Sequence, residues 1–282
     1  MYIESHDAPG LTSDIRSCLL SWGYDCFTEI QTLALAEGVA LGNSLIICAP
    51  TSSGKTLVAE LAILAAICRG RRCLYLVSHK ALADQKYLDF VERIGDGAQP
   101  QRASIGLSTG DRDEGEVTPQ VLVATYEKAL SLLLAGQLDL SATVVVADEL
   151  QIIGEDGRGP SIETLCTIFK RQGLDQLVAL TATIGNAQEL ADWLGCGLVT
   201  SWKRDVDLHQ EIWSGGEGYH VLFGQEIGAR CHVGENLPSD DVSVARHLVK
   251  MGRGPVLVFT ESRNEAIQMA NRYSQTATRT AE

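Results

Sequence analysis

The sequence lacks an apolar run long enough to cross a membrane. Its run LAILAAIC at 61–68 is short and is preceded by Glu60, whereas a spanning helix needs about 20 apolar residues. The N-terminal segment MYIESHDAPG has neither the basic stretch nor the apolar stretch of a secretion signal. The sequence therefore gives no indication of a membrane-embedded or secreted protein.

Paired cysteines are also missing. The eight cysteines occur singly and no Cys-x-x-Cys pair is present, so a zinc site is not expected. Half of them lie in apolar runs, where a thiol behaves as a small core residue. This usage predicts a protein of a reducing cytoplasm. The cysteines are Cys18, Cys26, Cys48, Cys68, Cys73, Cys166, Cys196 and Cys231.

The chain has no excess of basic residues. Its 23 lysines and arginines stand against 36 aspartates and glutamates, which gives a net charge of −13. This balance argues against a protein that coats nucleic acid through bulk attraction. A local basic groove remains compatible with it.

What the 282 residues do contain is an alternation of short apolar runs and helical patterns. The runs are four to six residues long and rich in β-branched residues, as in buried strands. Strands that alternate with helices predict an α/β fold with a mostly parallel sheet covered by helices on both faces. Ligands of such sheets bind at the carboxyl ends of the strands. The predicted strands are SLIIC (44–48), CLYLV (73–77), VLVAT (121–125), TVVVA (143–147), LVALT (177–181) and VLVFT (256–260).

The pattern weakens after residue 205, so we predict a first domain over 1–205. Residues 206–240 are glycine-rich and predict a linker with a hairpin in EIWSGGEGYHVLF. A helix, the strand VLVFT and another helix follow. One such unit cannot bury its own faces. Residues 241–282 are therefore expected to begin a second, incomplete domain.

A phosphate-binding loop is predicted directly after the strand SLIIC. The segment APTSSGKT has Ala49 where the strict P-loop pattern has Gly, and otherwise matches the pattern. Backbone N–H groups and the following helix N-terminus would hold phosphates. Lys55 would reach the β- and γ-phosphates and the Thr56 hydroxyl would bind Mg²⁺. The predicted ATP-binding residues here are Ala49, Pro50, Thr51, Ser52, Ser53, Gly54, Lys55 and Thr56.

Two adjacent acids follow another buried strand, in TVVVADELQ at 143–151. With a phosphate loop present, Asp148 is expected to hold Mg²⁺ through water. Glu149 is expected to orient and deprotonate the attacking water. The alternative is that the acid pair only caps the following helix.

The order of the motifs is more specific than any one of them. After the phosphate loop come SHKALADQK, STGDRD, ATYEK, DELQ, LTATIGN and VLVFTESR. From about residue 20 to about residue 265, this set resembles the superfamily 2 helicases. It is closest to the Ski-like DExH group, which includes archaeal DNA-repair helicases and the helicase half of DNA polymerase theta. The resemblance implies two RecA-like domains with ATP and Mg²⁺ between them.

The resemblance also implies roles for individual residues. Gln31 matches a glutamine that recognises adenine, although by itself it would be interpreted as an exposed helix residue. Five further elements imply contacts with a nucleic-acid strand. They are the motifs known as Ia and Ib, the Gly-Asp loop in STGDRD, an Arg-Gly-Pro element and motif IV. Those contacts are Ser78, His79, Lys80, Gly110, Asp111, Thr125, Lys128, Arg158 and Arg263.

Two further motifs imply coupling between the nucleotide and the nucleic acid. Thr181, Ala182 and Thr183 match motif III, which is usually Ser-Ala-Thr. Gln151 stands where most Ski-like proteins have a histidine that bridges to motif III, and a glutamine can keep the hydrogen bonds without carrying charge. The segment SWKRD at 201–205 resembles the stretch that leaves the first domain.

No motif V or VI follows Arg263. These motifs supply the arginines of the second domain, and an arginine finger is worth roughly 10³–10⁵ in rate. We therefore expect a fragment, a truncated product or half of a split enzyme. Such a chain would bind ATP weakly, hydrolyse it slowly and not separate strands.

Three functions stay open at this point. The favoured one is an ATP-dependent nucleic-acid helicase with 3′–5′ polarity, acting on DNA rather than RNA. The alternatives are an RNA helicase of the same group and a nucleotide- or nucleic-acid-binding module without turnover. A small-molecule kinase would not explain the TAT and FTESR segments. The oligomeric state is not indicated.

Overall fold

A computed structural model describes residues 2–3, 7–95, 102–115, 118–203, 210–214, 217–221, 232–234, 237–238 and 240–278. The chain divides into two compact units, residues 1–206 and 207–282. Among the described residues, no helix is long and apolar enough to cross a membrane.

The first unit alternates strands and helices, as the sequence predicts. Short 3₁₀ turns occur at Val39–Leu41 and Leu150–Gly154, and a π turn at Val91–Gly95. Its helices are α1 (Ser13–Ser21), α2 (Glu29–Ala36), α3 (Lys55–Cys68), α4 (Lys80–Phe90), α5 (Tyr126–Leu134), α6 (Gly159–Gln172) and α7 (Ala187–Leu194). Its strands are β1 (Leu45–Cys48), β2 (Arg72–Val77), β3 (Ile105–Ser108), β4 (Asp113–Gly115), β5 (Val121–Thr125), β6 (Thr143–Ala147), β7 (Gln176–Thr181) and β8 (Gly197–Thr200).

These eight strands form one sheet in the order β4-β3-β5-β2-β6-β7-β1-β8. Every neighbouring pair is parallel except β3 and β4, which are antiparallel. The predicted α/β class with a mostly parallel sheet is therefore confirmed. The order matters for the site because β6 lies between β2 and β7, while β1 lies beyond β7.

Helices cover both faces of the sheet, and the two faces have separate cores. One core joins the alternate residues of the strands to helices α1 to α4. The other joins the opposite residues to α5, α6 and α7. Helix α3 is buried on nearly all sides, because it lies at the centre of its layer and its sequence is apolar all round. The result is a rigid scaffold that presents the strand ends at one edge.

The second unit has a small antiparallel sheet and two helices. The predicted hairpin is present as β9 (Gln210–Ser214) paired with β10 (Glu217–Val221), and β11 (His232–Gly234) adds a third strand. Helices α8 (Asp241–Lys250) and α9 (Arg263–Thr278) follow.

The predicted strand at 256–260 is wrong. These residues form no ladder with any described strand, and Leu257 and Phe259 are 78% and 87% exposed. The apolar run has the composition of a buried strand, but a strand forms only where a neighbouring strand supplies hydrogen bonds. The described part of this unit contains no such neighbour for it.

Candidate functional site

Three of the predicted motifs lie side by side at one edge of the first unit. Strands β1, β7 and β6 are parallel neighbours, so their carboxyl ends meet at that edge. The phosphate loop follows β1, the 181–183 segment ends β7, and Asp148 follows β6. Neighbouring strands are about 4.8 Å apart, which puts β1 and β6 about 10 Å apart. That separation suits one ligand held between the loop and the acids.

The phosphate loop is held in shape by its own polar groups. The Lys55 ammonium donates to the carbonyls of Ala49 and Pro50, at 2.6 and 2.7 Å. The buried Ser53 hydroxyl donates to the Pro50 carbonyl at 2.8 Å. Gly54 has a φ of 88°, a conformation that favours glycine. The loop thus curls around the lysine head group, the charge that a phosphate would pair with.

Gln31 is buried. The interpretation of this residue, from its sequence alone, as an exposed helix residue is therefore wrong. Its side-chain carbonyl accepts from the Thr28 N–H at 2.8 Å, which forms a capping box at the start of α2. Its amide nitrogen donates to the Gly54 carbonyl at 2.9 Å. The Thr-x-x-Gln spacing is the signal that could have predicted the cap. The glutamine therefore ties the phosphate loop, at Gly54, to the start of α2.

Asp148 accepts three hydrogen bonds, two on its carboxylate and one on its main-chain carbonyl. One carboxylate oxygen accepts from the Tyr75 hydroxyl at 2.8 Å, and the other accepts from the Glu149 N–H at 3.0 Å. Its main-chain carbonyl accepts from the Tyr126 hydroxyl at 2.7 Å. Burial raises the pKa of Asp148, and the Tyr75 hydrogen bond opposes that rise. Both tyrosines are themselves fully buried in the two cores.

We expect Tyr75→Phe to destabilise the nucleotide-free chain, and to do so more at pH 8 than at pH 4.5. The hydroxyl stabilises the Asp148 carboxylate, and a hydrogen bond to a charged group contributes about 1.5–3 kcal/mol. Removing it raises the folded-state pKa of Asp148 further above its unfolded value. The loss of unfolding free energy that comes from the carboxylate is therefore absent in Tyr75→Phe where the Asp148 carboxyl is protonated. This loss appears as the pH rises through the folded-state pKa of Asp148.

Urea unfolding at the two pH values measures this effect. Tyr126→Phe is the matched control, since it removes a buried hydroxyl from the same residue's main-chain carbonyl. The cost of this control should not change with the ionisation of Asp148. Equal pH dependence in both variants would contradict the prediction.

Glu149 has an unusual backbone conformation, and among the described residues its side chain has one hydrogen-bond partner. Its φ of 54° is in the left-handed region, which is rare for a residue with a side chain. The buried Ser78 hydroxyl donates to its carboxylate at 2.6 Å. Arg158 donates to the main-chain carbonyl of Ser78 and to the Glu127 carboxylate, the latter at 2.8 Å.

Gln151 contacts the 181–183 segment, on the opposite side of the acid pair. Its side-chain carbonyl accepts from the Ala182 N–H at 3.1 Å. The buried Thr181 hydroxyl donates to the Ala182 carbonyl at 3.0 Å, and the Cys48 thiol at the end of β1 donates to the same carbonyl at 3.4 Å. Thr183 is exposed. A continuous set of contacts therefore joins β6, β7 and β1.

Most residues predicted to contact nucleic acid belong to the first unit. They lie at or beyond the ends of β2, β3 and β5, and Arg158 lies at the start of α6, after β6. Their cations are paired with carboxylates: Lys80 with Asp111, Lys128 with Asp113 and Arg158 with Glu127. The Thr125 hydroxyl accepts from the Lys128 N–H and caps α5. His79 and Gly110 are exposed.

One predicted contact residue belongs to the second unit, and the predicted segment 201–205 is described only in part. Arg263 begins α9 in the second unit and is exposed. In the segment 201–205, Ser201 is buried and Trp202 is exposed, while residues 204–205 lie outside the described ranges. Ser78 and Thr125 are buried, at 3% and 6% exposure, whereas the other predicted contacts with nucleic acid are exposed or half-buried.

The donors fit a magnesium ion shared with a nucleotide better than a resident metal. No group of three or more His, Cys, Asp or Glu side chains suited to a metal occurs in the described part of the chain. The oxygens at this edge include the Asp148 and Glu149 carboxylates and the exposed Thr56 hydroxyl at the start of α3, and of these Asp148 and Thr56 would hold the ion. Mg²⁺ typically takes one or two protein oxygens and completes its shell with waters and phosphates.

The parallel sheet, the phosphate loop after β1 and the acid pair after β6 define a RecA-like P-loop NTPase domain. The chain belongs to the DEAD/DEAH box helicase family, whose model matches residues 28–190.

The similar proteins agree with this assignment. The chain is 36% identical over 250 residues to the ATP-dependent DNA helicase Hel308 of Methanocella arvoryzae, covering 87% of this chain and 33% of that protein. It is 34% identical to the Hel308 of Aeropyrum pernix, covering 94% and 35%. It is 38% identical to that of Pyrobaculum calidifontis, covering 85% and 33%. The chain thus spans about a third of the length of these curated relatives.

Proposed function

We propose that this chain is the ATP-binding half of an ATP-dependent DNA helicase, in which ATP hydrolysis moves a single strand with 3′–5′ polarity. One observation carries the proposal: Lys55, Asp148 and Glu149 follow parallel strands of one sheet and meet at the same edge. The relatives at 34–38% identity are named ATP-dependent DNA helicases, which supports DNA over RNA.

The chain's own groups can carry out ATP hydrolysis at that edge. Lys55 exchanges its two loop carbonyls for phosphate oxygens when ATP enters, so its charge is available without a change of fold. Glu149 accepts a proton from the attacking water as general base. Bound Mg²⁺ would neutralise charge on the phosphates, held by Thr56 and Asp148.

Adenine recognition by Gln31 is part of the proposal. Its carbonyl and amide already bond to Thr28 and Gly54. An amide can make four hydrogen bonds, so one N–H and one lone pair remain for a base edge. Because Gln31 is only 3% exposed, a base reaches them only after a local shift of the surrounding residues. Binding the base would then also stabilise the phosphate loop.

The nucleic-acid surface is proposed to run over the ends of β2, β3 and β5. A phosphate backbone would compete with carboxylates for Lys80, Lys128 and Arg158. An acidic chain could in this way bind DNA at one edge, because the cations are exchanged there between carboxylates and phosphates. The rest of its surface would not attract the DNA backbone. Contacts of this kind carry little sequence information.

Gln151→Ala is expected to reduce the stimulation of ATP hydrolysis by DNA while leaving ATP affinity nearly unchanged. The Gln151 side chain links the segment that bears the acids to the Ala182 N–H, and it makes no hydrogen bond with a phosphate-loop residue among the described residues. Steady-state rates with and without single-stranded DNA measure the effect. Equal stimulation in the variant and the parent would count against a coupling role.

The test of the proposed function is ATP hydrolysis with single-stranded DNA, with single-stranded RNA and without a polymer. We expect slow hydrolysis that is stimulated more by DNA than by RNA. Asp148→Asn is the control and should be inactive. Stimulation by RNA alone would indicate an RNA helicase. Binding of ATP without hydrolysis in any condition would indicate a binding module.

The domain assignment and the compartment are further parts of the proposal. We assign 1–205 to the first RecA-like domain, 206–240 to a linker with the hairpin, and 241–282 to the beginning of the second domain. The cysteines described are all free thiols and four of them are buried, which supports a reducing cytoplasm.

A further inference from the structure

We propose that Ser78 holds Glu149 in a resting position, turned away from the nucleotide, and that nucleic acid releases it by engaging Arg158. This inference rests on the proposed function, since it concerns the same general base. It gives Ser78 a different role from the direct strand contact that its motif implies. Ser78 acts through Glu149 and is a positioning residue.

Burial already excludes Ser78 from direct contact with a strand. The residue is 3% exposed, so a phosphate cannot reach its hydroxyl without a rearrangement. That hydroxyl donates to the Glu149 carboxylate at 2.6 Å, a short distance typical of a strong hydrogen bond to a charged acceptor. The partner of Ser78 in this structure is therefore the proposed catalytic base.

The strand order shows in which direction Glu149 is held. Ser78 follows β2 and Glu149 follows β6 after Asp148, while the phosphate loop follows β1. Along the sheet the order is β2, β6, β7, β1. Ser78 thus lies on the opposite side of Glu149 from the phosphate loop. A carboxylate bonded to Ser78 points away from the place where the terminal phosphate and the attacking water would lie.

The backbone of Glu149 is suited to a residue with two positions. Its φ of 54° lies in a region that is unfavourable for a residue with a side chain, and such residues cluster at switch regions. The Asp148 carboxylate stabilises this conformation by accepting the Glu149 N–H at 3.0 Å. The side chain can therefore swing while the main chain stays in place.

Arg158 connects this arrangement to the proposed nucleic-acid surface. Its guanidinium donates to the Ser78 carbonyl and to the Glu127 carboxylate. A guanidinium binds a phosphate in the same bidentate manner as a carboxylate, so a strand phosphate competes directly for these donors. Loss of Arg158 from Ser78 frees the turn that positions the hydroxyl. Glu149 is then released toward the nucleotide.

Single-turnover ATP hydrolysis without DNA tests the inference, because it detects slow rates. Ser78→Ala is expected to hydrolyse ATP roughly tenfold faster than the parent without DNA, since a hydrogen bond to a charged group is lost. With single-stranded DNA the two rates should agree, so the stimulation ratio falls by the same factor. The KM for ATP should not change.

Two variants separate this role from a merely structural one. Ser78→Thr keeps the hydroxyl and should keep the parent's stimulation ratio. Ser201→Ala is the matched control, because Ser201 is also buried and also donates to a glutamate, Glu29, at 2.6 Å. It should be destabilised to a similar extent, as measured by thermal unfolding, without any change in the ratio.

The outcomes distinguish this inference from the proposed function. A Ser78→Ala chain that is no faster than the parent without DNA overturns the inference, whatever the parent does with DNA. A parent that hydrolyses no ATP under any condition overturns the proposed function as well. A Ser78→Ala chain that is faster than the parent without DNA and equals the parent with DNA supports both.

Discussion

Glu149→Gln is expected to lower the rate of ATP hydrolysis by about 10²–10³-fold, since general base catalysis typically contributes 10²–10⁴-fold. The glutamine has nearly the same size and can still accept a hydrogen bond from Ser78, but it cannot take up a proton. ATP affinity in the presence of Mg²⁺ should therefore be retained. Rapid-quench hydrolysis and equilibrium binding of a fluorescent ATP analogue measure the two quantities separately.

Glu163→Gln is the control for this charge change. Glu163 is an exposed residue of α6, and its loss removes the same charge without touching the site. Its hydrolysis rate should match that of the parent. If Glu149→Gln retained the parent's rate, another group would have to serve as the base, and the resting position at Ser78 would have no catalytic meaning.

The second large effect is expected for Lys55→Ala, which should weaken ATP binding by about 10- to 100-fold. A charge-assisted hydrogen bond contributes about 1.5–3 kcal/mol, and 1.4 kcal/mol corresponds to a factor of ten. The variant should also lower the melting temperature of the nucleotide-free chain. In that state the Lys55 ammonium donates hydrogen bonds to the carbonyls of Ala49 and Pro50. The substitution removes this donor from both carbonyls.

Calorimetric titration with ATP and thermal unfolding without it measure the two effects of Lys55→Ala. Lys170→Ala, at the end of α6, removes an equal charge far from the phosphate loop in the sequence and should change neither. A Lys55→Ala chain with the parent's ATP affinity would show that the loop binds something other than a triphosphate.

The core of the first unit could be predicted from the sequence because its strands are fully buried. The run TVVVA at 143–147 coincides with β6, and the other central strands lie within one residue of the prediction. The short strands β3, β4 and β8 were not predicted. Two of them, β4 and β8, lie at the edges of the sheet. They are three and four residues long with few or no apolar side chains, so they have no apolar periodicity to detect.

The positions of the candidate-site residues in the fold could be predicted from the sequence, but their contacts could not. The loop at 49–56 and the acids after β6 follow from motif and position. The bond between Ser78 and Glu149 depends on β2 and β6 being neighbours, and sequence order does not give the order of strands in a sheet. Ser78 and Lys80 are two positions apart in one motif, yet one faces the acids and the other pairs with Asp111.

ATP binding by Asp148→Asn, measured with and without Mg²⁺, tests most directly whether Lys55 and Asp148 act on the same magnesium–triphosphate. We expect Asp148→Asn to bind ATP more weakly than the parent when Mg²⁺ is present and equally well when it is absent. We also expect the effects of Lys55→Ala and Asp148→Asn on ATP binding not to be additive in the double variant when Mg²⁺ is present. A loss of affinity in Asp148→Asn that is the same with and without Mg²⁺, or no loss in either condition, would contradict a shared magnesium–triphosphate.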